Sequence, residues 1–128
     1  MYKEVENSPK LNELTNNLSG AVLQKEVIMN QTHTLIVGAG ISGLACASSL
    51  QKQGIEYIII EKQSQVATPW RNHYDRLHLH TSKNFSNLPY KKFGTAIPRY
   101  PSRQQVVAYL DDYQEEFNIN PLLILKQN

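Results

Sequence analysis

HTLIVGAGISGL, residues 33–44, contains the motif from which the fold can be predicted. An apolar segment leads into Gly38, Gly40 and Gly43, which have the spacing GxGxxG, and small residues follow. The first glycine permits a tight turn, the second lets the backbone approach a pyrophosphate, and the third lets a helix pack closely on a strand. The free N–H groups at the start of that helix suit the same diphosphate. The sequence therefore predicts a dinucleotide site, with a glycine-rich turn that binds nothing as the alternative.

A second apolar segment, IEYIII at residues 55–60, ends in Glu61. A carboxylate at the end of the second strand can accept hydrogen bonds from a ribose diol, whereas it repels a 2′-phosphate. Glu61 therefore disfavours NADP at this motif and leaves FAD and NAD open; a solvated strand end is the alternative. Strand, glycines, helix, strand and acid in this order predict an α/β fold, a Rossmann-like FAD/NAD(P)-binding βαβ unit with an incomplete parallel sheet.

Hydrophobic periodicity and capping residues predict the remaining elements. We predict strands at 34–37, 55–60 and 122–126, and helices at 41–53 and 102–117. Gly54 is placed to end the first helix, and Ser102 and Gln105 have the spacing of a capping box. Residues 76–81, RLHLHT, alternate and predict a short strand. The second helix carries a stripe that we expect to be buried, formed by Val106, Leu110, Tyr113 and Phe117.

Size and charge restrict the class of protein. The chain has 128 residues, of which 41% are hydrophobic and 19% charged, as in globular domains. A net charge of +2 without a block of like charge makes no case for nucleic acid or an anionic membrane. No apolar run approaches the ~20 residues of a membrane span, and the N-terminus lacks a signal pattern. The single cysteine, Cys46, cannot form an internal disulfide and is expected to be buried, so we predict a cytoplasmic protein.

Two further segments carry a family resemblance. They are WRNHYDRLHLHTSKNFSNLP at 70–89 and IPRYPSRQQVVAYLDDYQEEFNINP at 97–121, and they follow the N-terminal GAGxSGL and the glutamate at the end of the second strand. Over residues 33–126 the chain resembles the class B flavin-dependent (flavin-containing) monooxygenases. It is most similar to their bacterial members and to the plant indole-3-pyruvate monooxygenases.

In that family the N-terminal GxGxxG binds FAD, and a later GxGxxG binds NADPH, which reduces the flavin. The reduced flavin reacts with O2, and a C4a-hydroperoxyflavin inserts one oxygen atom into a small organic substrate. The resemblance implies that His80 is catalytic, as a polar group that forms a hydrogen bond beside the flavin. It also implies that FAD is bound by Gly38, Ala39, Gly40, Ile41, Ser42, Gly43, Glu61, Lys62, Trp70 and Arg71. The substrate stays open among an amine, a sulfide and an α-keto acid.

The 128 residues hold one dinucleotide motif where this reaction needs two. We therefore interpret residues 31–128 as the N-terminal part of a FAD-binding domain, with the NADPH site outside this chain. Residues 1–30 are polar and weakly patterned, and we interpret them as a flexible N-terminal extension. We expect the chain alone to be inactive and to self-associate through an unpaired sheet edge. The alternatives are a non-catalytic truncated fragment and an NAD-dependent oxidoreductase that uses the same motif.

The remaining polar residues favour no second chemistry. His78 and His80 would share one face of a strand, but no third ligand has a suitable spacing, so no metal is expected. Ser42 lacks the His and Asp partners of a hydrolase. Lys83 and Arg103 are expected at solvated surface positions.

Overall fold

The computed structural model describes residues 34–123 of the chain. Three strands, β1 (Leu35–Val37), β2 (Ile58–Glu61) and β3 (Leu122–Leu123), form a parallel sheet in the order β1-β2-β3. The helices are α1 (Ile41–Lys52), α2 (Thr68–Arg71) and α3 (Arg103–Glu116), with a 3-10 helix at Lys83–Phe85. This strand order is that of one half of a doubly wound dinucleotide fold. The predicted α/β class with an incomplete parallel sheet is therefore confirmed. The extension predicted at 1–30 and residues 124–126 of the last predicted strand lie outside the described residues.

Helix α1 ends where the sequence predicts. The N–H of Gly54 donates to the carbonyl of Gln51, and the N–H of Ile55 to that of Leu50, both at 3.0 Å. These two bonds form a Schellman motif, which satisfies the last carbonyls of the helix. Because the N–H of Ile55 is used in this way, β2 begins at Ile58 and not at residue 55.

The hydrophobic core lies between the sheet, α1 and α3. Ile36 of β1 stands opposite Ile59 of β2, and both side chains are buried. The Tyr113 hydroxyl of α3 lies 2.5 Å from the buried Ser48 Oγ of α1 and donates to the carbonyl of Pro89 at 2.8 Å. The polar groups between the two helices are thus hydrogen-bonded. In the predicted stripe of α3, Val106, Leu110 and Tyr113 are buried and Phe117 is half-buried. Tyr109, which was not predicted as part of this stripe, is buried as well.

The start of α3 confirms the predicted capping box. Ser102 Oγ accepts a hydrogen bond from the N–H of Gln105 at 3.3 Å, and Gln105 Oε1 accepts one from the N–H of Ser102 at 2.9 Å. Two backbone donors that a helix start leaves without intrahelical partners are satisfied in this way.

Two expectations from the sequence are wrong. Cys46 is exposed, because α1 turns Leu44 and Ala47 towards the core and Cys46 away from it. Residues 76–81 do not form a strand; only His78 pairs, with Ser102, in an isolated antiparallel bridge. The pairing does not extend, because the segment before Ser102 contains Pro98 and Pro101, which have no N–H, and the chain enters α3 directly after Ser102.

Candidate dinucleotide site

The glycine-rich turn connects β1 to α1 at the carboxyl end of the sheet. Gly38 has φ +97°, which is readily adopted only by glycine, and its N–H donates to the carbonyl of Ile60 at 2.7 Å. A Cβ on Gly43 would lie 1.9 Å from the carbonyl oxygen of Gly38, so α1 crosses the turn at a distance that only glycine allows. A Cβ on Gly40 would meet no atom within 4 Å. The space beside Gly40 is therefore open to a ligand.

Glu61 ends β2 and is only 9% exposed. Backbone N–H groups donate hydrogen bonds to its carboxylate. Oε2 accepts from the N–H of Ala39 at 2.7 Å, and Oε1 accepts from the N–H of Gln63 at 2.9 Å. Burial by itself raises the pKa of Glu61, but the N–H groups of Ala39, Gln63 and Lys62 and the charge of Lys62 outweigh it and hold that pKa below its ordinary value. Glu61 is therefore a negative charge in a fixed place at neutral pH.

A groove of about 650 Å³ opens along the glycine turn, and we call it the glycine groove. Four of the predicted cofactor residues line it, and they supply a carboxylate, an ammonium group and the turn itself. An anion in this groove would lie near the start of α1, where N–H groups without intrahelical partners favour negative charge. The lining consists of Val37, Gly38, Gly40, Ile60, Glu61, Lys62, Gln63, Thr68, Pro69 and Asn72.

The other residues of the predicted glycine motif, Ala39 and 41–43, do not line the glycine groove. Ala39 is fully buried, and its N–H bonds to Glu61. Ile41 and Ser42 form the first turn of α1, and Gly43 packs against the turn. Of the motif from Gly38 to Gly43, the structure thus places Gly38 and Gly40 in the lining of the glycine groove.

A second groove, of about 380 Å³, adjoins the first, and Pro69 belongs to the lining of both. We call it the histidine groove, since it is lined by Pro69, Trp70, His73, Leu77, His78, Leu79, His80 and Thr81. Trp70 and His80, which the resemblance places beside a flavin, therefore line one cavity. The imidazole of His80 is exposed to a ligand there.

Arg71 takes a different direction from the other predicted cofactor residues. Its guanidinium forms an ion pair with Asp111 of α3, and its Nε donates to the carbonyl of Val66 at 3.0 Å. It lines a third cavity of about 410 Å³, the polar pocket, together with Ser64, Gln65, Val66, Asp111, Gln114, Asn120, Pro121 and Leu123. Arg71 thus lies in neither the glycine groove nor the histidine groove.

Three polar residues of the glycine groove were not identified from the sequence. Gln63, Thr68 and Asn72 line it beside the expected residues. The signal for one of them, Thr68, was present, because Thr68 followed by Pro69 is typical of a helix start, with proline in the first turn.

Lys83 and Arg103 are structural and not free surface cations, contrary to expectation. The Lys83 ammonium donates to the carbonyls of Gly94, Thr95 and Ile97 at 3.0, 3.2 and 2.5 Å. Arg103 forms an ion pair with Asp75 at 2.8 Å and also donates to the carbonyl of Arg71. The Lys83 ammonium thus has an acceptor for each of its three donors, whereas Arg103 Nε is buried without a hydrogen-bond partner among the described residues.

Within residues 34–123, no three metal-binding side chains come together in a group that could hold a metal ion. In the same part of the chain, no helix has the length and apolar character to cross a membrane.

The parallel sheet, the glycine turn and the carboxylate at the end of β2 define the class of fold, a Rossmann-type dinucleotide-binding fold. Residues 35–122 match the family model described as pyridine nucleotide-disulphide oxidoreductase, and the chain belongs to this family.

Curated relatives confirm the resemblance to the class B flavin-dependent monooxygenases. The chain is 45% identical over 91 residues to indole-3-pyruvate monooxygenase YUCCA6 of Arabidopsis thaliana, an alignment that covers 70% of this chain and 22% of the relative. It is 42% identical over 89 residues to indole-3-pyruvate monooxygenase YUCCA4 of Oryza sativa, covering 69% and 20%. The chain spans about a fifth of the length of these relatives.

Solved structures share the fold. A flavin monooxygenase mutant from Stenotrophomonas maltophilia superposes with a TM-score of 0.63 at 25% identity, over 75% of this chain and 28% of that one. A bacillithiol disulfide reductase from Bacillus cereus superposes with a TM-score of 0.64 at 30% identity, over 72% and 29%. The fold of this chain is thus shared with one flavin monooxygenase and one disulfide reductase.

Proposed function

We propose that the chain is the FAD-binding N-terminal portion of a flavin-dependent, NADPH-using monooxygenase that inserts one oxygen atom from O2 into a small organic substrate. The observation that carries this proposal is the glycine groove, which combines a helix start, the fixed Glu61 carboxylate and open space beside Gly40. The similarity to flavin monooxygenases supports FAD as the nucleotide. When bound, FAD would supply the oxygen-activating chemistry, and NADPH, held outside these residues, would supply the electrons.

The glycine groove is proposed to hold the ADP part of FAD. The N–H groups at Gly40, Ile41 and Ser42 would donate to the diphosphate, as at other helix starts. A carboxylate has about four lone-pair sites, so the N–H groups of Ala39, Gln63 and Lys62 leave room on Glu61 for a ribose hydroxyl. The Lys62 ammonium would add a positive charge at the same end of the groove.

The histidine groove is proposed to hold the flavin ring. Because Pro69 lines both grooves, a ligand that extends past Pro69 would lie in both of them. Trp70 offers an aromatic surface to a ring system. His80 is exposed in the same groove, and its proposed role is to donate or accept a hydrogen bond beside the flavin. Arg71, which lies in the polar pocket, is not proposed to contact the cofactor.

A titration with FAD tests this proposal, because the chain contains a single tryptophan, Trp70. Binding in the histidine groove should quench Trp70 fluorescence, and the bound flavin should keep its own absorbance bands. Gly40→Val should abolish the quenching, since a branched side chain would fill the space open to the pyrophosphate. Gly94→Val, at an exposed glycine with only one Ile97 side-chain atom nearby, is the matched control.

The titration also separates the alternatives. Saturable binding of NAD without any of FAD would favour an NAD-dependent oxidoreductase. A folded chain that binds neither nucleotide would favour a non-catalytic fragment. Either result contradicts the proposal.

The 128 residues by themselves are proposed to be inactive, since they hold one dinucleotide motif where the reaction needs two. The purified chain with FAD, O2 and NADPH should oxidise NADPH well below the ~1 per second of ordinary enzymes. Turnover at that rate would contradict this part of the proposal. The cytoplasmic location predicted from the sequence stays a prediction.

A further inference from the structure

Helix α2 is four residues long, yet it contributes to all three cavities. Thr68 and the residue that follows the helix, Asn72, line the glycine groove, whereas Trp70 lines the histidine groove. Arg71 lines the polar pocket. Because one short helix carries a wall of both grooves, any tilt of α2 would move both walls together.

The start of α2 is strained and has no side-chain cap. Ala67 precedes the helix with φ +56°, a left-handed conformation that is unfavourable for a residue with a Cβ. Its side chain is buried, and its N–H donates to the carbonyl of Ala39 in the glycine turn at 3.2 Å. A conformation of this kind persists only when surrounding contacts hold it. The contacts that hold α2 therefore matter for the shape of both grooves.

Val66 and Ala67 are buried in the core and Trp70 packs against it, and Arg71 adds polar contacts. Its Nε donates to the carbonyl of Val66, the residue before Ala67, and its guanidinium is paired with Asp111 of α3. The carbonyl of Arg71 in turn accepts a hydrogen bond from the Arg103 guanidinium, which lies at the start of α3. Helix α2 is thus fastened to α3 through a residue that lines neither of the two grooves.

We propose that the Arg71–Asp111 ion pair is a positioning device that holds α2, and with it Trp70 and Asn72, against a bound dinucleotide. Arg71 acts through the helix and not by contact with the ligand. Asn72, whose carboxamide is exposed in the glycine groove, is assigned as a further nucleotide-contacting residue. The inference rests on the proposed function for the identity of the ligand.

The experiment compares Asp111→Ala with Asp112→Ala in the purified chain. Asp112 is the next residue of α3 and is exposed, which makes it a matched control. Two properties of Trp70 are measured, namely its quenching by acrylamide without ligand and the FAD concentration that half-saturates its fluorescence change. The midpoint of thermal unfolding is recorded for each variant.

We expect Asp111→Ala to make Trp70 more accessible to acrylamide and to weaken FAD binding about three- to fivefold, in keeping with the modest free energy of a half-exposed ion pair. Asp111→Glu, which keeps the carboxylate, should restore both properties. Asn72→Ala should weaken FAD binding without a change in acrylamide quenching, with Asn84→Ala as its control.

Equal behaviour of Asp111→Ala and Asp112→Ala in both measurements would overturn the positioning role. A parallel loss of thermal stability that Asp111→Glu does not repair would also overturn it, because the pair would then support the fold in general. If the unaltered chain shows no FAD binding, the proposed function fails, and acrylamide quenching still decides whether the ion pair positions α2.

Discussion

The backbone N–H of Ala39 lies 2.7 Å from Oε2 of Glu61, so the glycine turn and the end of β2 are joined by a charge-assisted hydrogen bond. The two residues are 22 positions apart in the chain. The two halves of the dinucleotide motif therefore form one unit in the folded protein itself. Glu61 supports the turn that its proposed ligand would also contact, and loss of its charge should affect stability and binding together.

Replacing Glu61 with glutamine should destabilise the fold and change its pH dependence. Hydrogen bonds to charged groups contribute roughly 1.5–3 kcal/mol each, so we expect a loss of about 2 kcal/mol at neutral pH. The pKa of Glu61 is lowered in the folded state, so its stabilising effect is present above the ordinary glutamate pKa, about 4.3. That effect is lost as the pH falls through the lower folded value.

Denaturant unfolding of both proteins between neutral pH and about pH 3 measures this effect. The difference in unfolding free energy between the unaltered chain and Glu61→Gln should shrink as the pH falls. Glu56→Gln, at an exposed glutamate just before β2, is the control and should show no such trend. A difference that is constant with pH would show that the Glu61 charge does not stabilise the turn.

Gly43→Ala and Gly40→Ala should separate folding from binding. A methyl group on Gly43 would overlap the carbonyl oxygen of Gly38 at 1.9 Å, so we expect a loss of about 3 kcal/mol despite the better helix propensity of alanine. A methyl group on Gly40 meets open space, so stability should change by less than about 0.5 kcal/mol while FAD binding weakens. Urea unfolding and the FAD titration measure the two effects. A stable Gly43→Ala chain would contradict the close packing of α1 on the turn.

The capping box of α3 should contribute measurably to stability. Ser102→Ala removes the acceptor for the N–H of Gln105 and should cost about 1 kcal/mol. For a domain of this size that corresponds to a fall in Tm of roughly 4–8 °C. Thermal unfolding followed by circular dichroism measures it, with Ser64→Ala, at an exposed loop serine, as the control.

We expect copies of the chain to associate through β1, which in the described part of the chain has exposed apolar side chains and an unpaired edge. Leu35 and Val37 alternate with the buried Ile36, and they are 47% and 77% exposed. Within residues 34–123, β1 pairs with β2 only, which leaves its other edge without a strand partner. Val37→Lys should lower the apparent mass in sedimentation, because a charge on an apolar sheet face opposes association. Phe85→Lys, at an exposed phenylalanine of the 3-10 helix, should leave the mass unchanged.

Features that depend on residues close together in the chain could be predicted from the sequence. The GxGxxG spacing predicted a strand, a turn and a helix, and the structure has them at Leu35–Val37 and Ile41–Lys52. Ser102 and Gln105 predicted a capping box, and both of its hydrogen bonds are present. Local spacing is sufficient in these cases because the bonding groups belong to the same turn of backbone.

The directions of isolated polar side chains could not be predicted from the sequence and follow from the folded arrangement. Arg71 was expected beside the cofactor, yet its charge is paired with Asp111, 40 positions further along the chain. Lys83 was expected in solvent, yet it binds three carbonyls of the loop at residues 94–97. A long cationic side chain satisfies its donors with whichever acceptors the folded chain brings within reach, and those acceptors lie far away in sequence. The direction of such a side chain therefore follows from the packing of α2, α3 and the loops, which no local pattern of residues encodes.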